Sequence, residues 1–235
     1  MKAPELSVGE RELIAAIVER YAMTDLEKAE RLADALFSLA SSKDLFAHVH
    51  SLRKRAKDPG HLSDKLERKM QKCKEAGVPF PVTPENVFET INDLAGIRIL
   101  HLHTSQFPEI NRILLGLLEI EEYEIREGPI AKVWDGEYEQ IFKQYGIKTE
   151  TNPRMYTSVH YVVGVGARQV RTAEIQVRTL AEELWGEVDH SINYPHASTV
   201  LSCQEQIKVL ARVTSSCTRL VDSIFVSERE AASKS

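Results

Sequence analysis

In the segment Glu174-Ile175-Gln176-Val177-Arg178-Thr179, a carboxylate, an amide and a guanidinium alternate with two β-branched apolar residues. Period-two alternation puts Ile175 and Val177 on one face of a strand and Glu174, Gln176 and Arg178 on the other. A carboxylate ligates a hard cation, an amide donates and accepts, and an arginine grips phosphate. An ordinary half-buried strand alternates in the same way, so the pattern gains meaning only from partners elsewhere. Asp93 stands just before the apolar run Gly96–His103, and Arg98 lies within it. An acid at a sheet edge could hold a cation, and an arginine beside it could neutralise phosphate. Taken alone, Asp93 also reads as a turn residue and Arg98 as a paired strand residue. With Glu174 as the second carboxylate, two acids on neighbouring strands would suit Mg²⁺, which prefers carboxylates plus phosphate oxygens.

Arg55, Lys57 and Lys65 flank the turn Asp58-Pro59-Gly60 and could converge on a polyphosphate, although a charge run is commonly a solvated helix face. Tyr156, Ser158 and His160 share one face of a further strand. An aromatic ring there stacks on a base and a histidine donates to phosphate. Singly, the two rings read equally as a sheet contact and a satisfied core histidine. Other chemistries are excluded by absence. The sequence has no Walker-type glycine loop, no Gly-x-Gly-x-x-Gly, no His-Glu-x-x-His and no Gly-x-Ser-x-Gly, and its single Glu-x-x-His (Glu187 to His190) lacks the second copy a di-iron site requires.

The elements that must position these residues follow from periodicity. Ser7 to Glu10 is a capping box opening a helix, and Thr24 or Asp25 caps a second. The spacing predicts a third helix over Asp44–Lys57 and a fourth, strongly basic, over Leu62–Ala76. A short helix runs from Thr83 to about Asp93, then a strand over Gly96–His103 and a helix over Pro108–Glu119. Tyr123–Trp134 gives one or two strands and Gly136–Tyr145 a short helix, whereas Gly146–Arg154 reads as a polar connection. Ser158–Val165 and Arg171–Arg178 form a hairpin about a turn over Gly164–Arg168. Helices follow over Leu180–Asn193 and, as one long tail, Cys203–Glu230. Helices, then a mixed sheet, then helices make an α+β domain. The organisation expected is a helical segment 1–48, a central domain 49–196 and a C-terminal helix 197–235.

The chain has 235 residues, 43% hydrophobic and 28% charged, with net charge −5, which suits a globular domain and argues against wholesale nucleic-acid binding. Three widely separated cysteines, with no Cys-x-x-Cys, argue against a disulfide framework or zinc site and fit a reducing cytoplasm. No run suggests a signal peptide or membrane span.

Together these pieces resemble the synthetase domain of the RelA/SpoT family, which makes the alarmones ppGpp and pppGpp. The match covers roughly Val49 to Tyr194: Arg55-x-Lys57 with Lys65 eight later, Asp93-Leu-Ala-Gly-Ile-Arg98, Tyr156-x-Ser158-x-His160, and Glu174-Ile-Gln-Val-Arg-Thr179 leading to Trp185-Gly-Glu-Val-Asp-His190-x-x-x-Tyr194. The resemblance implies a nucleotidyltransferase-like mixed β-sheet flanked by helices. It implies transfer of the β,γ-pyrophosphate of ATP to the ribose 3′-hydroxyl of GDP or GTP, releasing AMP. By it, Asp93 and Glu174 hold Mg²⁺, and Arg55, Lys57, Lys65 and Arg98 bind ATP. Tyr156 and His160 meet the acceptor's guanine and phosphate, while Ser158, Gln176 and Arg178 support the site. Two departures stand out. His61 replaces the usual serine, and Asn152 and Met155 replace a lysine and a glycine in the acceptor loop, where Arg154 and Lys148 are candidate substitutes for the lost cation. The second departure keeps open another nucleotide or the 3′ end of tRNA as acceptor, as in toxin-type relatives, and a nucleotide-binding regulator without activity is the remaining alternative. At this length the resemblance implies a small stand-alone synthetase or a fragment of a longer one. The terminal helix is a candidate surface for a homo-oligomer.

Overall fold

Ile97, Ile99, Val159, Tyr161, Val163, Ile175 and Val177 alternate along three strands and are all buried, so one face of a sheet is committed to the core. A computed structural model describes residues 4–165, 171–194 and 197–233. Its sheet has six strands: β1 (Ser51–Ala56), β2 (Ala95–His101), β3 (Glu124–Val133), β4 (Lys148–Thr151), β5 (Ser158–Val165) and β6 (Arg171–Thr179). Their spatial order is β1-β2-β6-β5-β3-β4. The pairs β2/β6 and β3/β4 are parallel, and β1/β2, β6/β5 and β5/β3 are antiparallel. The sheet is therefore mixed, as the sequence led one to expect.

The apolar face packs on helices from the first half of the chain: α1 (Val8–Arg20), α2 (Leu26–Ala40), α3 (Lys43–Phe46), α4 (Pro59–Ala76), α5 (Val87–Thr90) and α6 (Phe107–Ile120). A π-helical turn, Tyr21–Asp25, joins α1 to α2. The helix α7 (Gly136–Gln144) lies by β3 and β4, while α8 (Leu180–Asn193) and α9 (Leu201–Ala232) pack on each other. Trp185 of α8 donates from Nε1 to the Ile207 carbonyl of α9 at 3.1 Å, and a small second core forms round that contact.

Two sequence expectations are corrected. The third helix over Asp44–Lys57 ends after four residues, and Ser51–Ala56 forms the edge strand β1 instead. Leu45, Val49 and Leu52 mimic a helical stripe, but antiparallel pairing with β2 satisfies the backbone of this segment and overrides the local signal. The polar connection over Gly146–Arg154 contains the strand β4, whose Lys-Thr-Glu-Thr sequence lacks an apolar face because it lies at the opposite edge. Two helix boundaries also move. Asp58 caps α4 through the His61 amide at 3.1 Å with Pro59 in the first turn, so the helix starts before Leu62. The segment after Thr83 turns first and is helical only over Val87–Thr90. Most of the hairpin turn expected over Gly164–Arg168 lies outside the described residues.

Candidate functional site

The polar face of the sheet carries its residues in lateral rows. One row runs Lys148, Ile130, His160, Gln176, Arg98, Arg53 across all six strands. The next runs Val162, Glu174, Gly96, Arg55. Lateral neighbours project to the same side, so the strand β6 does set its three polar groups beside those of β2 and β5. Because β1 is a strand, Arg53 and Arg55 face the site. Lys54 faces away, paired with Asp34 and lying 5.9 Å from the Phe37 ring centre.

Asp93 sits in the turn entering β2. Lys57 Nζ donates to its Oδ2 at 2.9 Å and Lys65 Nζ to its Oδ1 at 2.7 Å, with Arg55 at 3.9 Å. Burial works to raise its pKa, but Lys65 and Lys57 together outweigh burial and hold it at about 2. Glu174 is likewise pushed up by burial and by the charge of Asp93. The hydrogen bond from His160 Nδ1, at 2.9 Å, acts with the electrostatic pull of that ring and of Arg55 to outweigh both and leave the pKa lowered, and Gln176 Nε2 donates to its other oxygen at 2.7 Å. The two carboxylates thus stand ionised, Asp93 in the turn that enters β2 and Glu174 on the neighbouring β6, each feeling the other. Gly96 lies between Glu174 and Arg55 in the row: a Cβ there would meet the Glu174 carbonyl oxygen at 2.7 Å, so only glycine permits this approach.

The rest of the row is tied down from α8. Glu183 Oε1 accepts from Arg53 and from Arg98, both at 3.0 Å, and its Oε2 meets Arg178. Glu187 Oε1 takes a second bond from Arg98 at 2.7 Å. Burial lowers the pKa of Arg178, while Glu183 works to keep it charged. The guanidinium of Arg178 is so close to Gly186 that a Cβ there would lie 2.8 Å from Nη1.

Tyr156 stands on the far side of the cleft, 5.9 Å from the Trp185 ring and 6.3 Å from that of His160. Its loop is an Asx turn: Asn152 Oδ1 accepts from the Arg154 amide at 3.0 Å, and Asn152 Nδ2 donates to the Tyr156 carbonyl at 3.0 Å. Met155 has φ of 63°, a left-handed conformation in which glycine is the unstrained residue. The backbone here takes a glycine-type shape although the residue is methionine. Thr157 donates its amide to buried Glu182 at 3.1 Å, and burial raises that carboxyl to about 7. Among the described residues, the other side-chain oxygen of Glu182 and the Thr157 hydroxyl find no hydrogen-bond partner.

Arg98, Arg154, Tyr156, His160, Gln176 and Arg178 all line one cleft, with Trp185, His190 and Tyr194 on its α8 side. His61 reaches the cleft's outer end, 4.8 Å from Tyr194, which stacks on His190 at 4.5 Å. Two sequence candidates stand elsewhere. Lys148 is two strands beyond His160, exposed at the sheet edge and paired with Glu150 at 3.2 Å. Ser158 is buried behind the cleft and donates to the Val177 carbonyl at 3.4 Å. The sequence reading missed the α8 acids Glu182, Glu183 and Glu187 and the role of Arg53. The i, i+4 spacing of Glu183 and Glu187 was the available signal, since it presents both on one helix face.

Two carboxylates of this kind fit a hard divalent cation. Among the described residues no group of three or more His, Cys, Asp or Glu could hold a metal unaided, so further ligands would come from substrate phosphate and water. No helix among the described residues is long and apolar enough to cross a membrane.

Comparison with known proteins gives the chain a family and a fold. The model of the region found in RelA/SpoT proteins matches residues 54–199, more than half of the chain. GTP pyrophosphokinase YjbM of Bacillus subtilis is 24% identical over 157 residues, an alignment covering 64% of this chain and 62% of that protein's length. The crystal structure of small alarmone synthetase 1 from Bacillus subtilis bound to its product pppGpp is similar with TM-score 0.57 at 19% identity, covering 90% of this chain and 96% of that one. A GTP pyrophosphokinase family protein from Streptococcus pneumoniae gives TM-score 0.59 at 16% identity, covering 96% of this chain and 97% of that one.

Proposed function

The chain belongs to the RelA/SpoT family, and on that premise we propose that it is a pyrophosphotransferase that moves the β,γ-pyrophosphate of ATP to the 3′-hydroxyl of GDP or GTP. The observation that carries this reading is the pair of ionised carboxylates, Asp93 in the turn entering β2 and Glu174 on β6 beside Gly96, with Arg55, Lys57 and Lys65 gathered at Asp93 and the Tyr156 cleft lined by His160 and Gln176, the partners of Glu174. Phosphoryl-type transfer needs charge neutralisation and in-line positioning more than covalent help. Lys57, Lys65, Arg55 and Arg98 would hold the donor's phosphates. Asp93, freed from those lysines, and Glu174 would hold Mg²⁺, which would supply neutralisation of the transferred group. Tyr156 would stack on the acceptor base. His160 already gives Nδ1 to Glu174, so donation from Nε2 to acceptor phosphate requires the doubly protonated ring. Glu174 would take the 3′-hydroxyl proton.

The test is direct. ATP labelled in its terminal phosphates is incubated with the protein and Mg²⁺, with GDP, GTP, ADP or deacylated tRNA offered separately. Label in GDP or GTP is the expected result; label confined to tRNA replaces the acceptor reading with the toxin-type one; nucleotide binding without transfer replaces the enzyme with a regulator. Asp93→Ala, Glu174→Ala and Tyr156→Ala should each abolish transfer, and near-full turnover in Glu174→Gln removes its role as base.

A further inference from the structure

Arg98 is a proposed ligand of the donor's phosphates, yet its Nη1 is occupied twice over by α8. Glu183 Oε1 is 3.0 Å away and Glu187 Oε1 is 2.7 Å away. The two acids differ in kind. Glu183 is buried at 6% side-chain exposure and holds three arginines, so it is a fixed part of the scaffold; Glu187 is 50% exposed, at the mouth of the site. Glu187 also stands 3.7 Å from Arg53. Arg98, Arg53 and Arg178 against Glu183 alone leave a cluster two charges positive; Glu187 reduces that surplus to one. A polyphosphate arriving at Arg98 meets a carboxylate already on the same guanidinium nitrogen, and must displace it or bear its repulsion.

We infer that Glu187 sets the affinity for the donor by competing with its phosphates for Arg98. The inference rests on the proposed donor role of Arg98. Glu187 touches neither reacting atom; it acts through Arg98, so its removal should change binding and leave the chemical step alone. Glu187→Gln keeps the helix former and the side-chain volume while deleting the charge. Loss of a like charge at a half-exposed rim is worth roughly a three- to ten-fold tightening at about 0.1 M salt, shrinking as the screening length falls.

The experiment measures binding of a non-hydrolysable ATP analogue with Mg²⁺ by titration calorimetry at about 0.1 M and about 0.5 M salt. The proteins are the wild type, Glu187→Gln, Arg98→Ala, the double variant, and Glu139→Gln. The last removes an acid of α7, where it pairs with Lys143 of the same helix and not with the α8 cluster, and controls for net charge. The expected result is tighter binding in Glu187→Gln, a narrower gap at high salt, no gain in the Arg98→Ala background and none from Glu139→Gln. With turnover measured, KM for ATP falls and kcat holds. Equal or weaker binding in Glu187→Gln, with the wild type binding normally, overturns the inference and leaves the donor reading standing. Absence of analogue binding in the wild type overturns the donor reading and the inference with it.

Discussion

Replacing Gly96 by alanine tests whether the closeness of β2 to β6 at Glu174 matters. The new Cβ would lie 2.7 Å from the Glu174 carbonyl oxygen and 3.7 Å from its carbonyl carbon. A carbon–oxygen contact needs about 3.3 Å, so the strands must part by roughly 0.6 Å at that level. Neither neighbour can swing aside, because both are backbone in the centre of the sheet. Overfilling a packed site costs about 1–3 kcal/mol, and removing glycine's unfolded-state freedom returns up to about 1 kcal/mol. The net loss is about 1–2 kcal/mol, or roughly 2–8 °C in Tm for a chain of this size. Glu174 moves with its backbone, and a displacement near 1 Å is known to cost about 100-fold in rate, so a fall of roughly ten-fold in turnover is expected even at 25 °C, where the protein is folded. Calorimetric melting and the labelled-ATP assay measure the two effects separately. Gly116→Ala in α6, where none of the described residues comes within 4 Å of the added carbon, is the control and should stabilise by up to about 1 kcal/mol. A Gly96→Ala protein that melts and turns over like the wild type would refute the reasoning.

Glu182 should make stability fall as pH rises. Its folded pKa, raised to about 7 by burial, lies above the unfolded value of 4.5, so its contribution is complete below pH 4.5 and lost through pH 7, on the order of 3 kcal/mol in all. Urea unfolding of Glu182→Gln at pH 5 and pH 8 should show less of this loss than the wild type. Asp93 has the opposite sign: held at about 2 against 3.8, it stabilises above pH 3.8, and that help disappears as pH falls through 2, so Asp93→Asn should flatten the acid limb of the same curve. Met155→Asn should raise the urea midpoint, because asparagine tolerates the left-handed backbone at φ 63° better than methionine does; a clear fall would mean the Met155 side chain contributes more by packing on the Trp185 cluster. Asp222 accepts from the amides of Thr104 and Ser105 at 3.0 and 2.9 Å, so Asp222→Ala should speed hydrogen exchange where α9 meets the end of β2.

Where local pattern and tertiary environment agree, the sequence was readable. The alternation of β6, the hairpin partners β5 and β6, and the amphipathic spans of α6 and α9 all follow from period. The parallel pairing of β2 with β6 is a long-range fact that no window contains, and the adjacency of Asp93 and Glu174 depends on it. Strand β1 was misread because its charges sit at an edge, where alternation serves the site and not the core. The acids of α8 escaped notice for a related reason. Sequence shows Glu183 and Glu187 as helix polarity, and only the fold shows that the arginines they hold come from β1, β2 and β6.

That central parallel pair also dates the site in the life of the chain. Between β2 and β6 the polypeptide makes α6, β3, α7, β4 and β5, and the last strand made is inserted beside an early one. Closure of so long a loop comes late in folding. A polypeptide still emerging from the ribosome would already carry Asp93 and the basic cluster but would have no opposing carboxylate. The pair of carboxylates would then be completed in a single step, when β6 docks beside β2.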